Sequence, residues 1–334
     1  MIGLKTKLMG KIFVMSQPRS GSTLLQHILG SHSQVGTIPE PWLLLPLFMA
    51  LRNGGWSADF RADYAYQNLL EFEKCLSQGR QTYYKAMEGA VDQLYANALR
   101  DQDCSHVLDK TPRYYHIMDE MIEAFPSARF VFLRRNPLAV MASIVKTNFN
   151  GDWTKIFQND RKHDLLTAPA KLLKGSRRLG AEAVILNYEL LVQNPEVEIN
   201  RICDELGLAF EPSMLDYGNK VRFEGSKGVD PKSIYQHTRP VDNYVDHWLA
   251  AYADPQMNRL GIEYLERLGH DTLKDIGYDA DFLLDQLKSQ RKARPIMPTV
   301  SWQTLEKPPW SRSILERMLL RWNERKMRLA CDVK

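Results

Sequence analysis

The sequence predicts an α/β protein of three layers, in which a central, mainly parallel sheet lies between helices. The first observation is that short apolar runs of strand length alternate along the chain with segments of helical periodicity. The second is a tight, glycine-containing loop between the first strand and the first helix. The third is that polar residues follow the ends of four strands, which is where the ligands of parallel sheets bind.

Four apolar runs, each bounded by polar or turn-forming residues, predict the strands. They occupy residues 12–15, 106–108, 129–133 and 183–186. Arg19, Lys110, Arg135 and Tyr188 follow these runs in that order. Because the carboxyl ends of parallel strands share one edge of a sheet, we expect these four side chains at that edge.

Helical spacing of apolar residues fills much of the chain between these runs. One helix is expected to start at Pro137, because proline is favoured at the first helical position. Another is expected to end at Gly207 after residues 195–206. Further helices are predicted after Ser22 and over residues 43–51, 64–77, 86–99 and 115–125.

The loop after the first strand reads QPRSGST over residues 17–23. Free backbone N–H groups and the positive end of the helix dipole converge where such a loop enters a helix. Arg19 adds a cation, and Ser20, Ser22 and Thr23 add hydroxyls. The sequence therefore predicts a phosphate or sulfate site.

The composition is that of an ordinary globular protein able to bury a large core, with 334 residues and a net charge of +4. This charge is too small to suggest a nucleic-acid partner. The four cysteines have no zinc-type spacing, and the N-terminus lacks the apolar core of a signal peptide. The most apolar patch, residues 42–51, is too short to span a bilayer. We expect a cytoplasmic protein without a transmembrane segment.

The first loop differs from the nucleotide-hydrolysing P-loop, which requires G-x-x-x-x-G-K-[ST]. The first glycine is absent, and Arg19 precedes the remaining one, Gly21. Asp109, beside Lys110, is the one Asp at a strand end that could suit magnesium. A nucleotide-dependent phosphotransferase is therefore the weaker interpretation.

PRSGST after a first strand resembles the 5′-phosphosulfate loop of sulfotransferases that use 3′-phosphoadenosine 5′-phosphosulfate (PAPS). RNP at 135–137, with Ser143 eight positions after Arg135, is similar to the family's 3′-phosphate site. NYELL at 187–191 is similar to a segment whose tyrosine, here Tyr188, lies near the adenine. GSKG at 225–228 is a looser match to the family's late basic loop. The resemblance runs from about residue 11 to residue 270.

This resemblance implies a P-loop-like nucleotide-binding core. It also implies transfer of a sulfuryl group from PAPS to an acceptor hydroxyl by in-line displacement, without a metal and with PAP as product. In this interpretation Arg19 offsets the charge that develops on the departing phosphate. The residues it implies at the co-substrate are Arg19, Ser20, Gly21, Ser22, Thr23, Arg135, Ser143, Tyr188 and Lys227.

The acceptor hydroxyl needs a general base. The cytosolic branch of the family has a His after Lys-Thr, but here Pro112 follows Lys110 and Thr111. Other branches place a Glu after the first helix, and Glu40, between two prolines, occupies that loop. We favour Glu40 over His116 as the base. Glu40 could instead be a structural carboxylate in an ion pair.

The acceptor stays open among a small molecule, a lipid-like or acyl chain and a carbohydrate. A non-catalytic PAP-binding protein is a further alternative. We place the sulfotransferase domain at 1–270 and a C-terminal linker and amphipathic helical extension at 271–334, with the linker at 291–309. The basic segment 223–244 has the composition of a lid or a surface loop.

The last helix, residues 313–330, places Leu315, Met318, Trp322 and Leu329 on one face and arginines elsewhere. It could dock on its own domain, bind a partner or lie on a membrane surface. Docking on its own domain is the interpretation we favour.

Overall fold

The computed structural model describes residues 10–55, 58–156, 161–219, 237–242, 245–290, 300–307 and 311–331, with residues 323–331 described by their backbone alone. By internal contacts the chain divides into two compact units. The first contains residues 21–133 and 174–240 together with the N-terminal strand. The second contains residues 17–20, 134–173 and 241–334.

A five-stranded sheet forms the centre of the first unit, in the order β2-β3-β1-β4-β5. Strands β3 and β4 both pair in parallel with β1, and β2 pairs in parallel with β3. The strands are β1 (Gly10–Ser16), β2 (Val35–Pro39), β3 (His106–Lys110), β4 (Arg129–Arg134) and β5 (Ala183–Asn187). The mainly parallel α/β fold and all four predicted strands are confirmed, and β2 is an edge strand that the sequence did not predict.

Strand β1 buries both of its faces, as its continuous apolar run requires. Ile12 and Val14 pack in a cluster with side chains of the first helix and of β4. Phe13 points to the opposite face, where its ring lies 5.2 Å from that of Phe125 and 5.4 Å from that of Phe130. The sheet therefore contributes to packed layers on both sides.

The helices match most of the predicted segments. Pro137 begins a helix that Asn136 caps by accepting from the N–H of Leu138, and Gly207 ends another in the left-handed conformation. The first half of the predicted helix at 115–125 is a 3₁₀ turn, Pro112–Ile117. The helices from the first loop to Gly207 are α1 (Ser22–Gly30), α2 (Leu44–Met49), α3 (Ala62–Lys74), α4 (Arg80–Ala98), α5 (Met118–Ala124), α6 (Pro137–Phe149), α7 (Ala168–Leu179), α8 (Tyr188–Gln193) and α9 (Pro195–Leu206).

The second unit has a core of its own, built mainly from helices. Its later helices are α10 (Pro255–Leu268), α11 (His270–Asp275), α12 (Ala280–Gln290), α13 (Trp302–Glu306) and α14 (Ile314–Cys331). Residues from both sides of position 270, among them Leu265 and Leu283, share this core. The domain boundary predicted at residue 270 marks the end of the family resemblance, whereas the two units are defined by internal contacts. The boundary therefore stays a prediction.

Trp302 lies within the segment predicted to be a linker, and it is completely buried. Its ring stacks on Tyr264 at 5.5 Å, and its Nε1 donates to the carbonyl of Leu260 over 2.7 Å. The linker prediction missed this short helix, since the flanking Pro, Lys and Arg residues dominate the local composition.

Helix α14 docks in the second unit through Leu319 and Leu320. The face predicted to dock is the exposed one, because Leu315, Met318 and Trp322 are all accessible to solvent. Among the described residues, no helix has the length and apolar character needed to cross a membrane.

Candidate active site

The glycine loop enters α1 without a side-chain cap. Gly21 is the N-cap residue with φ 90°, and the first turn of α1 holds no acidic residue. A Cβ at Gly21 would lie 2.4 Å from Cδ2 of Tyr188. Both the left-handed backbone and the tyrosine ring therefore require glycine here. The N-cap residue supplies no side-chain acceptor to the first-turn N–H groups, and the anion site there stays a prediction.

Arg19 is anchored on α6. Its Nε donates to Oγ of Ser143 and its Nη2 to Oγ1 of Thr147, each over 3.2 Å. Ser143 and Thr147 lie four residues apart, so both hydroxyls lie on one face of the helix. Arg135 donates from Nη1 to the backbone carbonyl of Arg19 over 2.9 Å. The structure thus brings together three residues predicted at the co-substrate and adds Thr147, which the sequence analysis missed.

The backbone of Arg19 is strained. Its φ is 70°, in the left-handed region that residues other than glycine seldom adopt. Strain of this kind persists where surrounding contacts impose it, and the contacts from α6 and Arg135 are of that type. Arg19 is therefore held in a defined position.

Lys110 connects the loop to the candidate base. Its Nζ donates to Oγ1 of Thr23 over 3.3 Å and forms a short ion pair with Oε1 of Glu40. Lys110 is completely buried and the side chain of Glu40 is 7% exposed. A buried ion pair often adds little to the stability of a protein, because removing two charges from water costs free energy. We therefore consider a chemical role for this pair. The sequence placed Lys110 at a strand end without assigning it a function.

Asp109 lies beside Lys110 but has a different environment, because successive side chains of a strand point to opposite faces. Its carboxylate is 1% exposed and accepts from the hydroxyls of Tyr95 at 2.6 Å, Tyr114 at 2.8 Å and Thr111 at 3.1 Å. Burial raises the pKa of Asp109 to about 6, and the three hydrogen bonds oppose that rise. Burial also raises the pKa values of Tyr95 and Tyr114.

The remaining predicted site residues are placed as follows. Ser20 is buried, and its Oγ has no hydrogen-bond partner within the described part of the chain. His116 is half-buried in the 3₁₀ turn, with its ring 4.2 Å from that of Tyr115. Lys227 lies outside the described residues, as do residues 223–236 of the predicted lid. Among the described residues, no group of three or more His, Cys, Asp and Glu is placed to hold a metal ion.

A parallel sheet with basic side chains at its strand ends is the arrangement of an α/β protein that binds anions. A family model described as "Sulfotransferase family" matches residues 11–212, more than half of the chain. The chain belongs to the sulfotransferase family. This confirms the resemblance drawn from the loop and strand-end motifs.

Two curated relatives and one solved structure give the extent of the similarity. Nodulation protein NoeE of Sinorhizobium fredii is 27% identical over an alignment of 296 residues that covers 80% of this chain but only 65% of that protein. Protein-tyrosine sulfotransferase 2 of Gallus gallus is 22% identical over an alignment of 278 residues that covers 77% of this chain and 71% of that protein.

The sulfotransferase domain from the curacin biosynthetic pathway is 24% identical with a TM-score of 0.50, and the match covers 72% of this chain and 91% of that domain. At this identity the structural likeness supports the fold. The sequence family supports sulfuryl transfer in general.

Proposed function

We propose that this protein transfers a sulfuryl group from PAPS to an acceptor hydroxyl. The observation that carries the proposal is Lys110, whose buried ammonium contacts both Thr23 of the anion loop and Glu40. One cation thereby connects a loop suited to a phosphosulfate with a carboxylate suited to accept a proton.

The residues of the loop fit an anionic co-substrate. The first turn of α1 begins without a side-chain cap, and the buried Oγ of Ser20 has no partner within the described residues. A phosphate oxygen could accept from the N–H groups of Ser22 and Thr23. The Ser20 hydroxyl is a further donor that the resemblance implies. Arg19 and Arg135 supply the positive charge that a nucleotide with two phosphate-bearing ends requires.

In the reaction, the acceptor oxygen attacks sulfur while the bond from sulfur to the bridging phosphate oxygen breaks. PAP leaves with that electron pair, and the acceptor's proton passes to the carboxylate of Glu40. Lys110 would offset the charge that develops on the departing oxygen, a role that the resemblance implies for Arg19. His116 is the alternative base, and Tyr188 is the candidate contact for the adenine, beside its packing on Gly21.

The experiment compares Glu40→Gln, His116→Asn and Lys110→Met with the wild-type chain. PAP affinity is measured by calorimetry, and turnover is measured with labelled PAPS against a panel of alcohols, phenols, sugars and acyl carriers. We expect Glu40→Gln to lower turnover by about 100-fold or more while PAP affinity stays within about twofold, as for loss of a general base.

Arg19→Ala tests the other half of the proposal, and we expect it to lower PAP affinity and turnover together. Normal turnover by Glu40→Gln would exclude Glu40 as the general base. His116 would then be the base if His116→Asn lost turnover, and neither would be if both variants were fully active. Loss of PAP binding by Glu40→Gln would make Glu40 a structural carboxylate. Magnesium-dependent turnover of ATP would favour a phosphotransferase, and tight PAP binding with no transfer to any acceptor would favour a binding protein.

A further inference from the structure

The segment between β2 and α2, residues 39–44, carries the proposed base in an unfavourable backbone conformation. Glu40 has φ 24° and Trp42 has φ 54°, both in the left-handed region. Neither residue is glycine or asparagine, and a tryptophan there is unusual. Such a segment relaxes unless contacts at its ends impose its shape.

Both ends of segment 39–44 are tied to the end of β3. At the first end, Pro39 is the register partner of Lys110 in the parallel β2–β3 pair. At the other end, the backbone N–H of Leu44 donates to the hydroxyl of Tyr114 over 3.3 Å. That hydroxyl in turn donates to Oδ2 of Asp109, the neighbour of Lys110. The two ends of the segment are thus fixed to adjacent residues of one strand.

The connection through Tyr114 is protected from water. Tyr114 is fully buried, Asp109 is 1% exposed and Leu44 is fully buried. A hydrogen bond in such surroundings is expensive to break, since water cannot replace either partner. The phenol hydroxyl both donates and accepts, so Tyr114 links the carboxylate of Asp109 to the amide of Leu44 through two hydrogen bonds.

We propose that Tyr114, held by Asp109, is a positioning residue. It keeps the strained segment 39–44 in its observed conformation and so holds Glu40 against Lys110. This inference rests on the proposed function only in taking Glu40 as the base. The anchoring itself is a property of the fold and can be measured without turnover.

Tyr95 supplies a matched control. Its hydroxyl donates to the same Oδ2 of Asp109 over 2.6 Å, and its side chain is 1% exposed. It belongs to α4 rather than to the 3₁₀ turn, and its hydroxyl has no hydrogen bond to segment 39–44 within the described residues. Tyr95→Phe and Tyr114→Phe each remove one hydroxyl bond to Asp109, and Tyr114→Phe alone also removes the acceptor of Leu44.

The test measures hydrogen exchange of the peptide that contains residues 40–44 in the full chain. We expect Tyr114→Phe to speed exchange at Leu44 by about tenfold and Tyr95→Phe to leave it near the wild-type rate, as for loss of one buried hydrogen bond. Tyr114→Phe should also lower the thermal midpoint more than Tyr95→Phe, because it also removes the acceptor of the buried N–H of Leu44. Exchange that is faster at Leu44 than at other amides of the first unit separates loss of the anchor from general destabilisation.

Kinetics complete the test. With labelled PAPS and the acceptor panel, Tyr114→Phe should lower kcat by about tenfold while PAP affinity and acceptor KM stay within about twofold, and Tyr95→Phe should leave kcat nearly unchanged. Equal exchange at Leu44 in both variants would overturn the anchoring. Faster exchange with an unchanged kcat would overturn the positioning role. If Glu40→Gln were fully active, the proposed base would fail, while the exchange result would still report on the anchor.

Discussion

Asp109→Asn provides a quantitative test of the buried carboxyl beneath the proposed site. In the folded protein the pKa of Asp109 is about 6, against an ordinary value of 3.8, because burial disfavours the ionised form. The folded state therefore binds more protons than the unfolded state between these values. The stability linked to this carboxyl is fully present below the unfolded pKa and is lost as the pH rises through about 6.

The difference between a pKa of about 6 in the folded protein and the ordinary 3.8 corresponds to about 3 kcal/mol. The asparagine side chain of this variant would keep the volume and an oxygen acceptor for the hydroxyls without the ionisation. We therefore expect Asp109→Asn to gain about 3 kcal/mol relative to the wild-type chain between about pH 4 and pH 8. In a unit of this size that is a relative rise of about 6–12 °C in thermal midpoint.

Scanning calorimetry of both chains across this pH range measures the effect. Asp119→Asn is the control, because the pKa of Asp119 is shifted in the opposite direction. Burial alone would raise that pKa, but hydrogen bonds from Lys174 and Arg178 lower it. Stability linked to Asp119 is lost only as the pH falls below the ordinary value of 3.8, so the difference between Asp119→Asn and wild type should stay nearly constant from about pH 4 to pH 8. A difference between wild type and Asp109→Asn that stays constant from about pH 4 to pH 8 would refute the reasoning.

Three further predictions concern the loop, the second unit and the last helix. Gly21→Ala should destabilise the first unit by more than Gly207→Ala. Both place a Cβ at positive φ, which costs about 1–2 kcal/mol of stability, but only the Cβ at position 21 meets a tyrosine ring. Equal losses of stability in chemical denaturation would contradict this. Trp302→Ala should destabilise the second unit by about 3–5 kcal/mol, and an unchanged thermal midpoint would place it outside that core. If the exposed face of α14 binds an anionic membrane surface, the wild-type chain should cosediment with phosphatidylglycerol vesicles and the double variant Leu315→Ser/Met318→Ser should not. Failure of the wild-type chain to sediment would exclude membrane binding by this face.

The parts of the site that follow from local sequence signals were predictable. Gly21, between a buried strand and a helix, and the Asn136-Pro137 start of α6 are recognised within a few residues. Strand β2 was missed because Gly36 and Pro39 leave it only a short apolar run, which an edge strand tolerates. Local pattern is informative where backbone geometry and side-chain spacing decide the structure.

The sequence by itself predicted four of the five strands of the sheet, the strand–loop–helix at Gly21 and the basic residues at the strand ends, because each depends on neighbouring residues. Only the tertiary structure decided that Lys110 pairs with Glu40, and that Tyr114 relays Asp109 to the amide of Leu44. Glu40 and Lys110 are 70 residues apart, and parallel pairing of β2 with β3 brings them together. A parallel pair needs a long crossover, so its register is set by the packed sheet and not by any local pattern in the chain.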